Sequence, residues 1–367
     1  MKSKTSFSIT ERINVVKTYL PPLIDYVEYL HSIWERNWVT NNGPVTQALE
    51  KNLEAHLKVA HLQYVTNGTV AIQLAIKALN LTSEIITTPY SYVATTNSII
   101  WENCDPVFVD INPESMCIDA NKIAAKITEK TSAILATHVY GIPCDVIAIE
   151  KIAKENGLKV IYDGAHAFGV EVNGRSIFEY GTLSTVSFHA TKIFHTIEGG
   201  AVITQDPELS EKVFLLKTFG HRMDKYHMVG INGKNSELHA AIGLCNLNIV
   251  NFHIQERKII FELYKDLLDY LPLKTLNINP ANKHNYAYFP VIFENHSKMI
   301  QVKTALELEN IFPRRYFYPS LNKLPFISDE SCPISEKISE SVLCLPLYYE
   351  LKRKDVMRIA ETIKGCY

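Results

Sequence analysis

The chain has 367 residues, with 37 basic and 39 acidic side chains for a net charge of -2. That length gives two or three domains and an ample core. Near neutrality excludes the broad basic excess of a dedicated nucleic-acid binder, and 47% apolar against 21% charged residues excludes an acidic disordered chain.

The first 60 residues read as helical. Ile24, Val27, Leu30 and Trp34 follow helical spacing, Thr40–Pro44 is turn-rich, and a second helix carries Leu49, Leu53 and Leu57. From about 61 to 205, short apolar runs alternate with amphipathic helices. The strands are Leu62–Thr66, Glu84–Thr88, Pro106–Asp110, Ala133–Thr137, Lys159–Tyr162, Ser184–Phe188 and Ala201–Thr204. The helices between them are Thr69–Leu79, Tyr92–Trp101, Ala120–Ile127 and Asp145–Asn156. This alternation predicts an α/β domain with a mostly parallel sheet, whose ligand sits at the C-terminal strand ends.

A helix over Ser236–Asn246 and a long one over Ile249–Leu271 follow; the latter's Gln255–Lys258 reads as exposed charge bridging two domains. Strands at Tyr286–Phe293 and Phe312–Tyr318 and a closing helix at Arg353–Lys364 make a smaller α+β domain. The boundary is placed at 250/251, giving a large domain over 1–250 and a small one over 251–367.

Seven cysteines, an odd number with no C-x-x-C pair, give no disulfide framework and no metal site, and they fit a reducing cytoplasm. Met1–Thr10 has two lysines with no apolar core behind them, so it is not a signal peptide. No run approaches ~18 apolar residues, so no membrane span is expected.

Four segments carry candidate chemistry. Neither G-x-G-x-x-G after the first strand nor G-x-x-x-x-G-K-[ST] is present, which disfavours nicotinamide and nucleotide-triphosphate enzymes. Instead, Asn67-Gly68-Thr69 stands between a strand and a helix, where free backbone N–H groups of Gly68 and Thr69 can bind a phosphate. Tyr92, in Pro89-Tyr90-Ser91-Tyr92, stands at another such junction and can stack on a flat ring. The apolar strand Val160–Tyr162 delivers Asp163, a carboxylate that needs a cationic or strongly donating partner there, with His166 three residues on. Lys192 follows Ser187-Phe188-His189 in a stretch otherwise uncharged apart from its histidines, where its amine is pushed toward the neutral nucleophile. Singly, these are a helix cap, a core aromatic, a turn-capping aspartate and a solvated lysine. Together they are the requirements of pyridoxal phosphate.

On these motifs the chain resembles the DegT/StrS nucleotide-sugar aminotransferases. The markers run from Asn42-Gly43-Pro44 through Thr88–Thr95, His138-Val139-Tyr140-Gly141 and Asp163-Gly164-Ala165-His166 to Lys192, Glu198-Gly199-Gly200 and Asn232–Ala241. The resemblance implies the fold-type-I architecture of pyridoxal-phosphate enzymes: a large domain with a mostly parallel sheet wrapped by helices, plus the small C-terminal domain. It implies that Lys192 bonds the cofactor and then shuttles the proton, and that Asp163 holds the ring nitrogen protonated. His166 would meet the ring hydroxyl and Tyr92 would stack on the ring. Gly68, Thr69 and Ser187 would hold the phosphate, with Asn232 reaching it from a second subunit, hence a homodimer with shared sites.

Lys234 stands where the family often has arginine, and it cannot reproduce a bidentate clamp. Thr40–Pro44, Ser187–Gly200, Gly230–Lys234 and Pro313–Pro319 most resemble members that act on a dTDP-linked 4-keto-6-deoxyhexose with L-glutamate as donor, in surface-glycan synthesis. His189, Arg314, Arg315 and Tyr316 are the candidate substrate contacts. Two rivals stand beside this reading: amination of a 3-keto sugar, and a non-catalytic regulator on the same scaffold, against which intact Lys192 and Asp163 speak.

Overall fold

The computed structural model describes residues 11–327 and 330–367. The signal-peptide reading of Met1–Thr10 therefore lies outside the described residues. Seven strands form the central sheet: β1 (His61–Val65), β2 (Ser83–Thr87), β3 (Cys104–Phe108), β4 (Thr131–Thr137), β5 (Lys159–Asp163), β6 (Leu183–Ser187) and β7 (Gly200–Thr204). Their order is β1-β7-β6-β5-β4-β2-β3. Pairing from β3 to β6 is parallel, and β7 runs antiparallel to both its neighbours. All seven strands expected from the sequence are present within two residues of their expected starts. Ala133–Thr137 in β4 and all of β7 are buried, as sheet faces covered by helices on both sides require.

The topology brings one edge together. Val65 and Ser187 both pair with Gly200, Thr137 pairs with Asp163, and Asp163 with Thr185. The C-terminal ends of β1, β4, β5 and β6 thus meet the start of β7.

The helix Pro44–Leu57 begins without a side-chain N-cap of its own. Its first turn is closed by buried Glu237, which accepts from Val45 and Thr46 N–H at 2.8 Å each. A Cβ on Gly43 would lie 2.6 Å from that carboxyl, so the Asn42-Gly43-Pro44 turn needs glycine at its centre.

The second body holds a three-stranded antiparallel sheet, Lys274–Thr275, Phe289–Ile292 and Val342–Leu345. The helices His296–Leu308, Pro333–Ser341 and Arg353–Lys364 surround it. Ile13–Asn14 pairs in parallel with Ile311–Phe312, so the beginning of the described chain is joined to this body.

Two sequence readings are corrected here. The long helix spans Val250–Leu268, and Arg257 in its charged middle is buried rather than exposed: Nη1 donates to the carbonyls of Ala287 at 3.1 Å and Leu347 at 3.0 Å. Of Phe312–Tyr318, Phe312 belongs to a strand, Arg314 makes an isolated antiparallel bridge to Cys344, and the remainder is loop, with Phe317 in the left-handed region at φ 62°. In the helix Leu23–Arg36, Ile33 faces the core, whereas Ile24 and Trp34 are exposed. All seven cysteines are free thiols, six of them buried. Among the described residues no helix is long and apolar enough to cross a membrane.

Candidate active site

A cavity of about 380 Å³ opens at the strand edge just described. Gly68, Thr69, Tyr92, Asp163, His166, Ser187, His189, Lys192, Arg314 and Tyr316 all line it. Ten of the twelve residues singled out in the sequence thus converge, from segments spread over most of the chain. The other two stand elsewhere. Arg315 lies with its guanidinium 3.4 Å from the centre of the Tyr318 ring. Asn232 is exposed, its side-chain oxygen accepting from Lys234 Nζ at 2.7 Å, and it does not line the cavity of its own chain.

The helix Gly68–Ala78 points its N-terminus into the cavity. Asn67 caps it by accepting from Val70 N–H at 2.9 Å, leaving the earlier N–H groups of the first turn for a ligand. Close packing shapes this cradle. A Cβ on Gly68 would lie 2.8 Å from Ser187 Cβ, and one on Gly200 would lie 2.6 Å from the Asn67 carbonyl. An anion of phosphate size therefore meets backbone donors, the helix dipole and the Ser187 hydroxyl with no side chain between.

Asp163 is buried at the end of β5. It accepts from Thr95 Oγ1 at 2.7 Å and from Ala165 N–H at 3.0 Å. Those bonds fix the carboxylate and leave acceptor capacity for a further donor. His166 Nδ1 accepts from Tyr140 N–H at 3.1 Å, so Nε2 carries the hydrogen of the neutral ring. Burial, helped by the Lys192 charge, holds the His166 pKa well below its usual value. Burial also pulls the Lys192 amine down to about 8, with Asp163 opposing and Arg314 adding to the fall. Tyr92 is 58% exposed, its ring available to a flat ligand.

At the rim, His189 Nδ1 lies 2.8 Å from Thr191 Oγ1, and its Nε2 is 3.6 Å from Glu198. The Arg314 guanidinium lies 4.9 Å from the centre of the Tyr316 ring. Sequence reasoning missed Thr95, Glu198 and Tyr288. Thr95 and Glu198 stood inside quoted motifs, but their partners lie far off in sequence. Tyr288 had no local signal.

A profile of the DegT/DnrJ/EryC1/StrS aminotransferases matches residues 25–364. The chain belongs to this family.

The curated relatives agree over nearly the whole length. The chain is 41% identical to a dTDP-4-amino-4,6-dideoxy-D-glucose transaminase of Escherichia coli, covering 96% of this chain and 98% of that one. It is 31% identical to a GDP-perosamine synthase of Vibrio cholerae over 93% and 95% of the two chains. Among solved structures, DesI in the presence of its TDP-sugar product superposes with a TM-score of 0.93 at 29% identity, over 97% of this chain and 93% of that one. The DegT/StrS resemblance seen in the motifs is thereby borne out, as is the α/β fold of these enzymes. The protein is a pyridoxal-phosphate-dependent transaminase. Its residues fit that cofactor: an open phosphate cradle, a fixed carboxylate with spare acceptor capacity, a neutral imidazole with its hydrogen on Nε2, and a lysine of depressed pKa.

Proposed function

We propose that this transaminase moves an amino group from L-glutamate to C4 of a dTDP-linked 4-keto-6-deoxyhexose, giving the dTDP-4-amino-4,6-dideoxyhexose. The observation that carries this reading is the 41% identity, over nearly the full length, to the Escherichia coli enzyme of that name. The reaction serves a surface glycan such as an O-antigen and takes place in the cytoplasm.

When bound, the cofactor supplies the electron sink for the carbon that loses its proton. In this reading Lys192 first holds the cofactor and then, as a free amine, carries the proton to and from the substrate carbon. Asp163, steadied by Thr95 and Ala165, keeps the ring nitrogen protonated. His166 donates from Nε2 to the ring hydroxyl. Gly68, Thr69 and Ser187 hold the phosphate, and Tyr92 covers the ring. The rim takes both substrates in turn: Arg314 offers a cation to a glutamate carboxylate, while His189 and Tyr316 meet sugar hydroxyls. With no contact to the cavity, Arg315 has no share in this scheme.

The working unit is a homodimer in which Asn232 reaches the phosphate of the other subunit. Exposed apolar side chains support this assembly. Phe219, Met223, Tyr226, Val229 and Ile231 stand bare around the hairpin that leads to Asn232, and Ile24 and Trp34 stand bare on the N-terminal helix.

Incubating the protein with glutamate and a panel of dTDP- and GDP-keto sugars, read by product NMR, tests the proposal. A new C4 amine on the dTDP sugar is expected. An amine at C3, or turnover confined to GDP sugars, overturns it.

A further inference from the structure

Tyr288 lies directly before the strand Phe289–Ile292, and its side chain lines the cavity. It is 6% exposed. Its hydroxyl accepts from Lys192 Nζ at 3.5 Å. The ring is wedged between catalytic-site aromatics, with centroids 4.4 Å from His166, 5.6 Å from Tyr140 and 5.3 Å from Tyr316.

What stands behind the ring is unusual. Arg257 is a buried guanidinium that donates to the carbonyl of Ala287, the residue before Tyr288, and to that of Leu347. The charges of Arg257 and Arg314 both act on the phenol, as do Tyr316 and Cys344, and the His166 ring packs against it. On the Lys192 side, Asp163 and Arg314 act on the amine and His166 stands beside it. A buried arginine held on carbonyls is costly to place and fixes the backbone it grips. Here it grips the peptide that carries Tyr288.

We infer that Tyr288, braced from behind by Arg257, is a positioning residue that holds the Lys192 amine over the reacting carbon whenever that amine is free. The lysine side chain has four rotatable bonds and would otherwise sample many rotamers in a cavity this large. A fixed acceptor on the opposite wall selects those from which proton transfer is in reach. The residue acts on the lysine, not on the substrate, so its loss should slow chemistry without weakening binding.

Tyr288→Phe tests this, because it removes one oxygen and keeps the packed ring. The first readout needs no substrate: the pH dependence of the rate at which the cofactor-free protein, whose Lys192 amine is free, captures pyridoxal phosphate. Loss of an acceptor disfavours the protonated nitrogen of Lys192, so the midpoint should move to lower pH by about half a unit. The second is single-turnover kinetics of the donor half-reaction with glutamate, for which the limiting rate should fall about tenfold with the apparent dissociation constant unchanged. An unmoved midpoint, or a loss confined to substrate binding, overturns the inference. If the wild-type protein fails to react with glutamate, that counts against the proposed donor, while the substrate-free titration still decides the role of Tyr288.

Discussion

On the inner wall of the cavity, Asp163 is held by two donors, His166 by one, and both side chains are more than nine-tenths buried. On the rim, His189, Glu198 and Arg314 are exposed, and they lean on one another or on neighbouring rings. The difference follows from what each wall meets. In the proposed reaction the inner wall serves one resident cofactor, so fixing its groups in advance costs nothing at the moment of reaction. The rim must admit two unlike substrates in alternation, and weakly paired, solvated side chains re-pair readily.

If that division holds, substitutions should grade in effect from the inner wall outward. Lys192→Ala is the most severe: the absorbance of the lysine–cofactor linkage disappears and turnover falls by about 10⁴-fold, as measured by spectra and by consumption of the amino donor. Next comes pH. With the Lys192 amine pulled down to about 8, its neutral form dominates above that value and falls tenfold per unit below it. The rate at which the cofactor-free chain captures pyridoxal phosphate should thus rise about 50-fold from pH 6 to 8 and level off soon after. A rise that continues to pH 10 would mean that the lysine is solvated and belongs with the rim.

Thr95→Val removes one of the two bonds that fix Asp163. A loss of about tenfold in limiting rate is expected, from a hydrogen bond to a charged group, with little change in the KM for either substrate. Glu198→Gln is the mildest. It leaves the amino-donor half-reaction within about twofold and changes the sugar half-reaction by a few-fold, because an exposed pair is worth little. Equal damage to both half-reactions would place Glu198 with the inner wall instead.

Much of the inner wall was legible in the sequence because strand-end chemistry is written locally. Apolar runs end in Asp163 and Ser187, and Gly68-Thr69 opens a helix with a clear apolar face. The rest depended on contacts between distant segments. Arg257 sits among Gln255, Glu256 and Lys258, a composition that reads as a solvated face, and only the carbonyls of Ala287 and Leu347 make it a core residue. Pro313–Tyr318 alternates like a strand, yet beyond Phe312 it finds no continuous partner, and its side chains turn to the cavity and to Tyr90 and Tyr140 instead. Tyr288 stands in an aromatic run, Tyr286–Phe289, in which nothing local marks one ring as facing a lysine.

The pairing of Ile13–Asn14 with Ile311–Phe312 has a consequence for how the molecule is made. These partners are separated by nearly the whole chain. A ribosome delivers the first strand long before the second exists, so this segment must wait unpaired while the large sheet assembles behind it. Its docking belongs to the last stage of folding, on a ladder of two residues. The same seam is therefore a natural place for the folded protein to open first.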